Sequence, residues 1–331
     1  MAAQKPAKSP MTPPPSATSC SLAAATASPG AEIVAASRLY GGSLQQMKNT
    51  YPKFGWTANI VDADTPDNFK RAVTDRTKAF FIESLANPGG VISDIEAIAR
   101  IAEDAGVPLL VDNTLATPWL CKPIEYGATL VVHSTTKFLS GTGTSMGGAV
   151  VDSGKFDWSR GGKFPSLAGP EPAYHGLKFH ETFGPLAFTF HGIAVGLRDL
   201  GMTLNPQAAH YTLMGIETLS LRCKAHNENA NALALWLSDH EAVKKGSVLS
   251  PSLPSHPSHE LAKKYFRPGC FGSVFIFELA GKDEDEARAR GKKFIDSVEM
   301  CAHLANVGDS RTLVIHPAST THQQLTTEQQ I

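Results

Sequence analysis

The chain has 331 residues, of which 42% are hydrophobic and 18% are charged, so it can bury a large core and is expected to form about two domains. Its formal net charge of -1 excludes the strong positive field of a protein that binds nucleic acid or acidic lipid. No stretch approaches the roughly twenty apolar residues needed to cross a bilayer.

The cysteines are spread along the chain without the paired spacing of a metal site. An odd and scattered set implies neither a disulfide framework nor a zinc cluster, and it fits a reduced compartment. The N-terminus also has no apolar segment for secretion. We therefore predict a soluble cytoplasmic protein without a metal. The cysteines are Cys20, Cys121, Cys223, Cys270 and Cys301.

Residues 1–30 form a leader of Ala, Ser, Pro and Thr with a few Lys and no acidic residue. Such a segment has too little bulky apolar surface to fold, so we predict that it is disordered. An organelle transit peptide is the alternative, although the leader contains no Arg. The first folded domain is expected to begin at residue 31.

A β/α alternation follows the leader. Short apolar runs alternate with stretches of helical periodicity, and this pattern predicts a mostly parallel sheet covered by helices on both faces. The predicted strands are Ile33–Ala35, Ala58–Val61 and Ala79–Ile82, and the predicted helices are Ser43–Tyr51, Asp67–Val73 and Asp94–Ala105.

Two further apolar runs, Val107–Val111 and Ala128–Val132, are typical of buried parallel strands. Each is followed by polar residues, with Asp112 after the first run and Lys137 soon after the second. Open α/β sheets bind their ligands at the carboxyl ends of their strands. We therefore expect these polar residues to meet at one site.

This combination of side chains suits pyridoxal phosphate. A lysine amine forms a Schiff base with that cofactor, hydroxyls bond its phosphate, and an aspartate keeps the pyridine nitrogen protonated so that the ring accepts electrons. The candidates are Lys137, the hydroxyls of Ser134 and Thr136, and Asp112. The alternatives are a solvated lysine, hydroxyls that bond the local backbone, and an acid that caps a turn or a helix.

Three other motifs do not fit the chemistry that they suggest. In the run Gly141–Gly148 the third glycine of a dinucleotide fingerprint is replaced by Met146. The run Gly161–Phe164 lacks the upstream glycine and the Ser or Thr of a phosphate loop, and His180–Glu181 has no second histidine at the zincin position. We predict neither a nucleotide site nor a zinc site.

A smaller α/β domain is predicted for residues 227–331, which leaves residues 31–226 for the large domain. After a Pro/Ser-rich break, the alternating run Gly272–Leu279 predicts a strand. The charged segment Asp283–Val298 predicts a surface helix.

Taken together, the motifs resemble those of the pyridoxal-phosphate-dependent enzymes of cysteine and methionine metabolism, and within that family the chain looks most like the O-acetylhomoserine sulfhydrylases. The resemblance extends from about Gly30 to Gln324. It implies a fold-type I pyridoxal-phosphate transferase with an incomplete C-terminal domain, in dimers or tetramers whose active sites are shared between subunits. The motifs are Leu39–Gly42, Glu83–Pro88, Val111–Thr114, Ser134–Phe138, Asn205–Gln207 and Val314–His322.

The resemblance also implies roles for the site residues. Lys137 would hold the cofactor and then move protons as a base, Asp112 would pair with the pyridinium nitrogen, and Ser134 and Thr136 would donate to the phosphate. Tyr40 would stack on the ring, with core packing as the alternative.

Two asparagines and two histidines complete this comparison. Asn87 would contact the cofactor or substrate, or form a turn with the following Pro-Gly-Gly. Asn306 falls in the region that binds the substrate carboxylate. His316 and His322 are expected to be structural.

The reaction implied by the resemblance is a γ-replacement on O-acetylhomoserine, in which sulfide or a thiol displaces acetate and gives homocysteine or methionine. The alternatives are methionine γ-lyase and the cystathionine-type lyases and synthases. In the γ-lyase a cysteine follows the Tyr-Gly pair, whereas this chain has Gly42, which favours the sulfhydrylase.

The ends of the chain differ from the family pattern. An upstream Tyr-x-Arg and a Ser-Gly turn that hold the phosphate are expected where this chain has its leader, and an Arg-rich strand that binds the substrate carboxylate is expected beyond Ile331. Thr142 also replaces a histidine that is usual in the family. If the chain is truncated at both ends, we expect weak activity, and a non-catalytic subunit or partner of a full-length paralogue is the second hypothesis.

Overall fold

The computed structural model describes residues 30–320. Almost all of the predicted leader and His322 therefore lie outside the described residues. The main sheet contains β1 to β6, and β7 and β8 form a separate pair. The strands are β1 Glu32–Ala36, β2 Thr57–Val61, β3 Thr77–Glu83, β4 Leu109–Asp112, β5 Leu130–Ser134, β6 Gly148–Asp152, β7 Ala302–His303 and β8 Leu313–Val314.

The six-stranded sheet has the order β2-β1-β3-β4-β5-β6. Strands β1 to β5 are parallel, and β6 runs antiparallel to β5 at the edge. Every residue of β1 is buried, and so are six of the seven residues of β3. Their continuous apolar sequences follow from burial on both faces of a parallel sheet. The predicted fold class is confirmed by this sheet and its flanking helices.

Helices connect the strands and cover the sheet. Wider π-helical turns occupy Gln46–Thr50, Thr135–Leu139 and Gly192–Leu197. The α-helices are α1 Gly41–Gln45, α2 Asp67–Ala72, α3 Ile95–Ala105, α4 Thr117–Leu120, α5 Pro165–Ala168, α6 Phe179–Phe183, α7 Ala187–His191, α8 Arg198–Leu200, α9 Pro206–Glu217, α10 Leu219–Asp239, α11 His259–Tyr265 and α12 Glu284–Ser297. Short 3₁₀ turns lie at Tyr51–Phe54, Pro123–Tyr126, Arg160–Gly162, Pro172–Tyr174, Gly184–Leu186 and Pro317–Ser319.

Helix α3 shows how the sequence encodes one of these elements. The Asp94 carboxylate accepts the backbone N–H of Ala97 at 3.2 Å and caps the first turn, which satisfies one of the donors left free at a helix start. The helix buries Ile95 and Ile98. It ends at Gly106, whose φ of 63° is a left-handed conformation that glycine adopts without steric cost.

The C-terminal region differs from its prediction in one element. Helix α10 runs through Asn227, so the predicted domain boundary lies inside a helix, and the division into two domains stays a prediction. The run Gly272–Leu279 is not a strand. It makes only the isolated bridges Leu249↔Ile276 and Val243↔Leu279, because a ladder requires a continuous neighbouring strand and none runs beside it among residues 30–320.

The predicted surface helix Asp283–Val298 is confirmed as α12, with Asp283 as its cap. Within residues 30–320, no helix is long and apolar enough to span a membrane.

Candidate active site

The site lies at the carboxyl edge of the main sheet. Glu83 ends β3 and is paired in register with Asp112, which ends β4. Asp112 is in turn paired with Val132 of β5, two residues before Ser134. The parallel register therefore brings the polar ends of three neighbouring strands to one edge, and the sequence predicted this for β4 and β5.

Asp112 lies at this edge with a partly exposed side chain. Its carboxylate accepts the backbone N–H of Thr114 at 2.9 Å. Burial raises the pKa of Asp112, and the hydrogen bonds from the hydroxyl and backbone of Thr114 oppose part of that rise. No Lys, Arg or His nitrogen in the described chain lies within 4.0 Å of this carboxylate.

Thr114 joins the ends of β4 and β5. Its hydroxyl oxygen accepts the backbone N–H of Ser134 at 2.8 Å. The adjacent Asn113 is buried, accepts the Ser84 hydroxyl at 2.7 Å and donates to the Cys121 carbonyl at 3.0 Å. These bonds fix the spacing between Asp112 and the loop that carries the lysine.

Lys137 lies in the turn Thr135–Leu139, where its own backbone is not helical, with φ of -90° and ψ of -127°. The side chain is partly buried, and its Nζ donates to the amide oxygen of Asn306 at 2.6 Å. Burial lowers the pKa of Lys137, so a larger fraction of the amine is neutral at a given pH. A neutral amine is the form that reacts with a carbonyl.

The loop that carries Asn306 packs tightly on the lysine turn. Gly308 has φ of 73°, and a Cβ there would lie 2.5 Å from the backbone nitrogen of Phe138. One residue later, the buried Asp309 accepts two hydrogen bonds from the Arg311 guanidinium at 3.0 and 2.9 Å. Only a glycine allows this close approach, so Gly308 helps to place Asn306 against Lys137.

The two hydroxyl candidates have different surroundings. The Thr136 hydroxyl accepts the backbone N–H of Gly147 at 3.1 Å and lies 3.4 Å from its carbonyl oxygen, as the local-backbone alternative predicts. The Ser134 hydroxyl makes no hydrogen bond within the described chain, and its backbone N–H is held by Thr114. Ser134 is therefore available to a ligand.

Tyr40 follows β1 and precedes α1, with 48% of its surface exposed. Its backbone N–H donates to Glu83 at 2.6 Å. Its ring lies over Gly42, where a Cβ would be 2.5 Å from the ring atom Cε1. Exposure on this scale excludes the core-packing alternative and leaves the ring free to meet a ligand.

In the sequence Glu83 is only the first residue of the motif Glu83–Pro88, but in the structure it contacts the residues of the site. It is 4% exposed and accepts the backbone N–H groups of Tyr40 and Asn87. Burial, and then the charge of Asp112, raise the pKa of Glu83 well above its ordinary value. The available sequence signal was an acidic residue directly after the apolar run Ala79–Ile82.

The structure brings the predicted residues together in two groups. Lys137 contacts Asn306 directly, and Ser134 and Thr136 lie on the same loop. Tyr40, Asn87 and Asp112 are connected through Glu83, and Thr114 links Asp112 to Ser134. Thr114, like Glu83, was not predicted as a site residue from the sequence.

The donor set fits pyridoxal phosphate. A protonated pyridine nitrogen would supply the cation that the partly buried Asp112 lacks within residues 30–320. Lys137 offers an amine with a lowered pKa, and the Ser134 hydroxyl is a free phosphate donor. These residues supply the acid, the amine and the hydroxyl that the cofactor requires.

Known proteins are similar to this chain over most of its length. The family model described as Cys/Met metabolism PLP-dependent enzyme matches residues 8–331. The O-acetyl-L-homoserine sulfhydrylase of Leptospira meyeri is 45% identical over 310 residues, which cover 91% of this chain and 68% of the relative. The homocysteine synthase of Schizosaccharomyces pombe is 45% identical over 304 residues, which cover 91% and 69%.

A solved structure agrees with these relatives. It is a Campylobacter jejuni protein assigned as an O-acetylhomoserine (thiol)-lyase, and it contains a pyridoxyl-lysine monophosphate. Its TM-score to this chain is 0.88 at 36% sequence identity, and the match covers 95% of this chain and 73% of that one.

Proposed function

Because the chain belongs to the Cys/Met metabolism PLP-dependent enzyme family, we propose that it catalyses γ-replacement on O-acetylhomoserine with pyridoxal phosphate as its cofactor. Sulfide or a thiol replaces acetate, and the product is homocysteine or methionine. Similarity to proteins named for that substrate and for homocysteine supports this choice. The observation that carries the proposal is the placement of Lys137, with its lowered pKa, beside the strand that ends at Asp112.

Pyridoxal phosphate supplies, when bound, a ring that withdraws electrons from the carbons of an amino-acid substrate. Lys137 would hold the cofactor through its Nζ and, with substrate bound, would accept and return protons at the substrate carbons. Its lowered pKa suits both tasks, because a base must be neutral before it accepts a proton.

The other residues orient the reactants. With pyridoxal phosphate bound, Asp112 would hold the ring nitrogen by a charge-assisted hydrogen bond, and Ser134 would donate to the phosphate. Thr136 would donate to it in place of its hydroxyl bond to the Gly147 carbonyl oxygen. The exposed Tyr40 would stack on the ring, and Asn87 would contact the cofactor or the substrate. The Asn306 amide, which contacts Nζ at 2.6 Å, is placed to bind the substrate beside Lys137.

A lyase of the same family is the second candidate, since it uses the same base and the same acid. Gly42 favours replacement, because the γ-lyase has a cysteine at the position that follows the Tyr-Gly pair. The products separate the two activities, since a lyase releases an oxoacid and ammonia whereas the replacement releases acetate.

We also propose a homo-oligomer, a dimer or a tetramer, in the cytoplasm. Helices α9 and α10 expose apolar side chains, among them Leu213 at 63%, Leu221 at 71% and Trp236 at 58%. Apolar surface of this extent on neighbouring helices is typical of subunit interfaces. The cysteines among residues 30–320 are free, which agrees with a reducing compartment.

The cofactor assignment is tested by reduction with borohydride after incubation with pyridoxal phosphate, followed by peptide mass spectrometry. The pyridoxyl group should be found on Lys137 and should be absent from Lys137→Ala. Lys163→Ala is the matched control, since burial also lowers the pKa of Lys163 but its Nζ donates to a backbone carbonyl. Equal labelling of wild type and Lys137→Ala would contradict the proposal.

The reaction is tested with O-acetylhomoserine and sulfide. Formation of homocysteine and acetate in equal amounts, lost in Lys137→Ala, is the expected result. If an oxoacid and ammonia form instead, the chain is a lyase.

A further inference from the structure

Two carboxyl groups lie next to each other at the proposed cofactor site. Glu83 and Asp112 end adjacent parallel strands and are partners in register. Paired residues of neighbouring strands project to the same face of the sheet. Each negative charge therefore raises the free energy of ionising the other.

Nothing in the described chain neutralises this pair. No Lys, Arg or His nitrogen of residues 30–320 lies within 4.0 Å of either carboxyl group. Two unpaired charges in a buried position are strongly unfavourable, and such pairs retain a proton instead. One of the two carboxyl groups is therefore neutral.

The surroundings favour Glu83 as the neutral partner. Both groups accept two hydrogen bonds, but Glu83 is 4% exposed whereas Asp112 is partly exposed. The more deeply buried carboxyl group loses more free energy when it ionises. A neutral carboxyl group still accepts N–H donors through its carbonyl oxygen. The bonds from Tyr40 and Asn87 are therefore kept when Glu83 is protonated.

We propose that Glu83 is a positioning residue that remains protonated, so that the single negative charge of the pair lies on Asp112 while Glu83 holds the backbone of Tyr40 and Asn87 at the site. Glu83 thereby keeps the negative charge on Asp112, which would face the ring nitrogen, and also fixes the position of Tyr40. The proposal rests on the proposed function only for the tasks of Asp112 and Tyr40 toward the cofactor.

The protonation state is tested on the protein without cofactor by infrared difference spectroscopy at neutral pH. Wild type should show the carbonyl band of a neutral carboxylic acid, and Glu83→Gln should lose it. Glu32→Gln is the matched control: Glu32 is also buried in this sheet, at 6% exposed, but Arg76 and the hydroxyls of Thr74 and Thr77 contact it. It should leave the band in place.

Two outcomes overturn the proposal. If the band persists in Glu83→Gln and disappears in Asp112→Asn, the proton lies on Asp112. If wild type has no such band, both groups are ionised. The infrared bands are measured on the protein without cofactor. They therefore test the protonation of Glu83 even if the chain does not catalyse the proposed reaction.

The positioning role is tested by titration with pyridoxal phosphate. Glu83→Ala removes the acceptor of two backbone N–H groups and should weaken cofactor binding about five- to tenfold. Glu83→Gln keeps a neutral acceptor of the same shape and should restore most of that loss. If Glu83→Gln binds as weakly as Glu83→Ala, a neutral side chain does not perform the task and the proposal fails.

Discussion

At the scale of single residues, the site works by placing ionisable groups in surroundings that change their charge. Lys137 is partly buried and contacts an uncharged amide, so its pKa is lowered, while burial raises the pKa of both Glu83 and Asp112. The shifts of Lys137 and Glu83 have the direction that the proposed chemistry requires, whereas Asp112 must ionise against its own shift, which the charge of a protonated ring nitrogen beside it would favour. The contact between Lys137 and Asn306 allows the first of them to be tested.

Asn306→Asp should raise the pKa of Lys137. It replaces an amide by a carboxylate at 2.6 Å from Nζ, and an opposite charge this close favours the protonated amine, typically by about 1 unit or more. The pH midpoint for reaction of pyridoxal phosphate with the protein, followed by absorbance, should rise accordingly. Asn306→Ser removes the amide without adding charge and should not raise it. An unchanged midpoint in Asn306→Asp would mean that the contact is not made.

His133 makes stability depend on pH. It is buried in β5, and burial lowers its pKa to about 4 from an ordinary value of 6.5. The unfolded chain therefore binds the proton more tightly, so the stability is present above about pH 6.5 and is lost as the pH falls toward 4. The loss is roughly 3 kcal/mol at most.

Urea unfolding measured across this range should show the decline in wild type and a smaller decline in His133→Gln. His303→Gln is the control, because His303 is exposed on β7. A decline of equal size in wild type and His133→Gln would assign the pH dependence to other groups.

At the scale of elements, close contact between backbones fixes the lysine turn. Helix α9 crosses it at Gly215, where a Cβ would lie 2.3 Å from the Leu139 carbonyl oxygen and 2.4 Å from that of Ser140. Arg222 of α10 bonds the same region, with its guanidinium 2.8 Å from the Phe138 carbonyl oxygen and 2.5 Å from that of Gly215. Both helices therefore contact the turn that carries Lys137.

Gly215→Ala should separate α9 from this turn. The atoms that it meets are backbone and cannot rotate away, so we expect a loss of about 1–3 kcal/mol in the free energy of unfolding, with weaker cofactor binding. Gly196→Ala is the control, since its Cβ would meet nothing within 4 Å and alanine is the better helix former. Equal stability of the two variants in urea would disprove the close contact.

At the scale of the whole molecule, the exposed apolar face of α9 and α10 predicts association. Leu221→Glu places a charge on this face and should shift the protein toward smaller species in sedimentation velocity. Ser297→Glu, at the end of α12, should leave the distribution unchanged. A wild-type chain that sediments as a monomer at all concentrations would contradict the proposed oligomer.

The sequence predicted most of the sheet and the edge at which the site lies. Apolar runs gave β4 and β5 within two residues, and both strands end at the same edge of the sheet. That Asp112 and Lys137 act at one site stays a prediction. The contacts of Glu83 were not predictable, because Tyr40 lies 43 residues away in sequence and only the fold brings them together. The prediction of a strand at Gly272–Leu279 was wrong for the same reason. A strand depends on a neighbouring strand and not only on the alternation of apolar and polar residues in its own sequence.

The short pair β7 and β8 has a consequence for the dynamics of the site. Asn306 lies in the connection between these strands, which contain two residues each. So small a ladder opens at a lower free energy than the main sheet, and its amide protons should exchange with deuterium before those of β4 and β5. The contact that shields the Lys137 amine should therefore break and re-form many times while the rest of the molecule stays folded, which gives small molecules a route to the lysine.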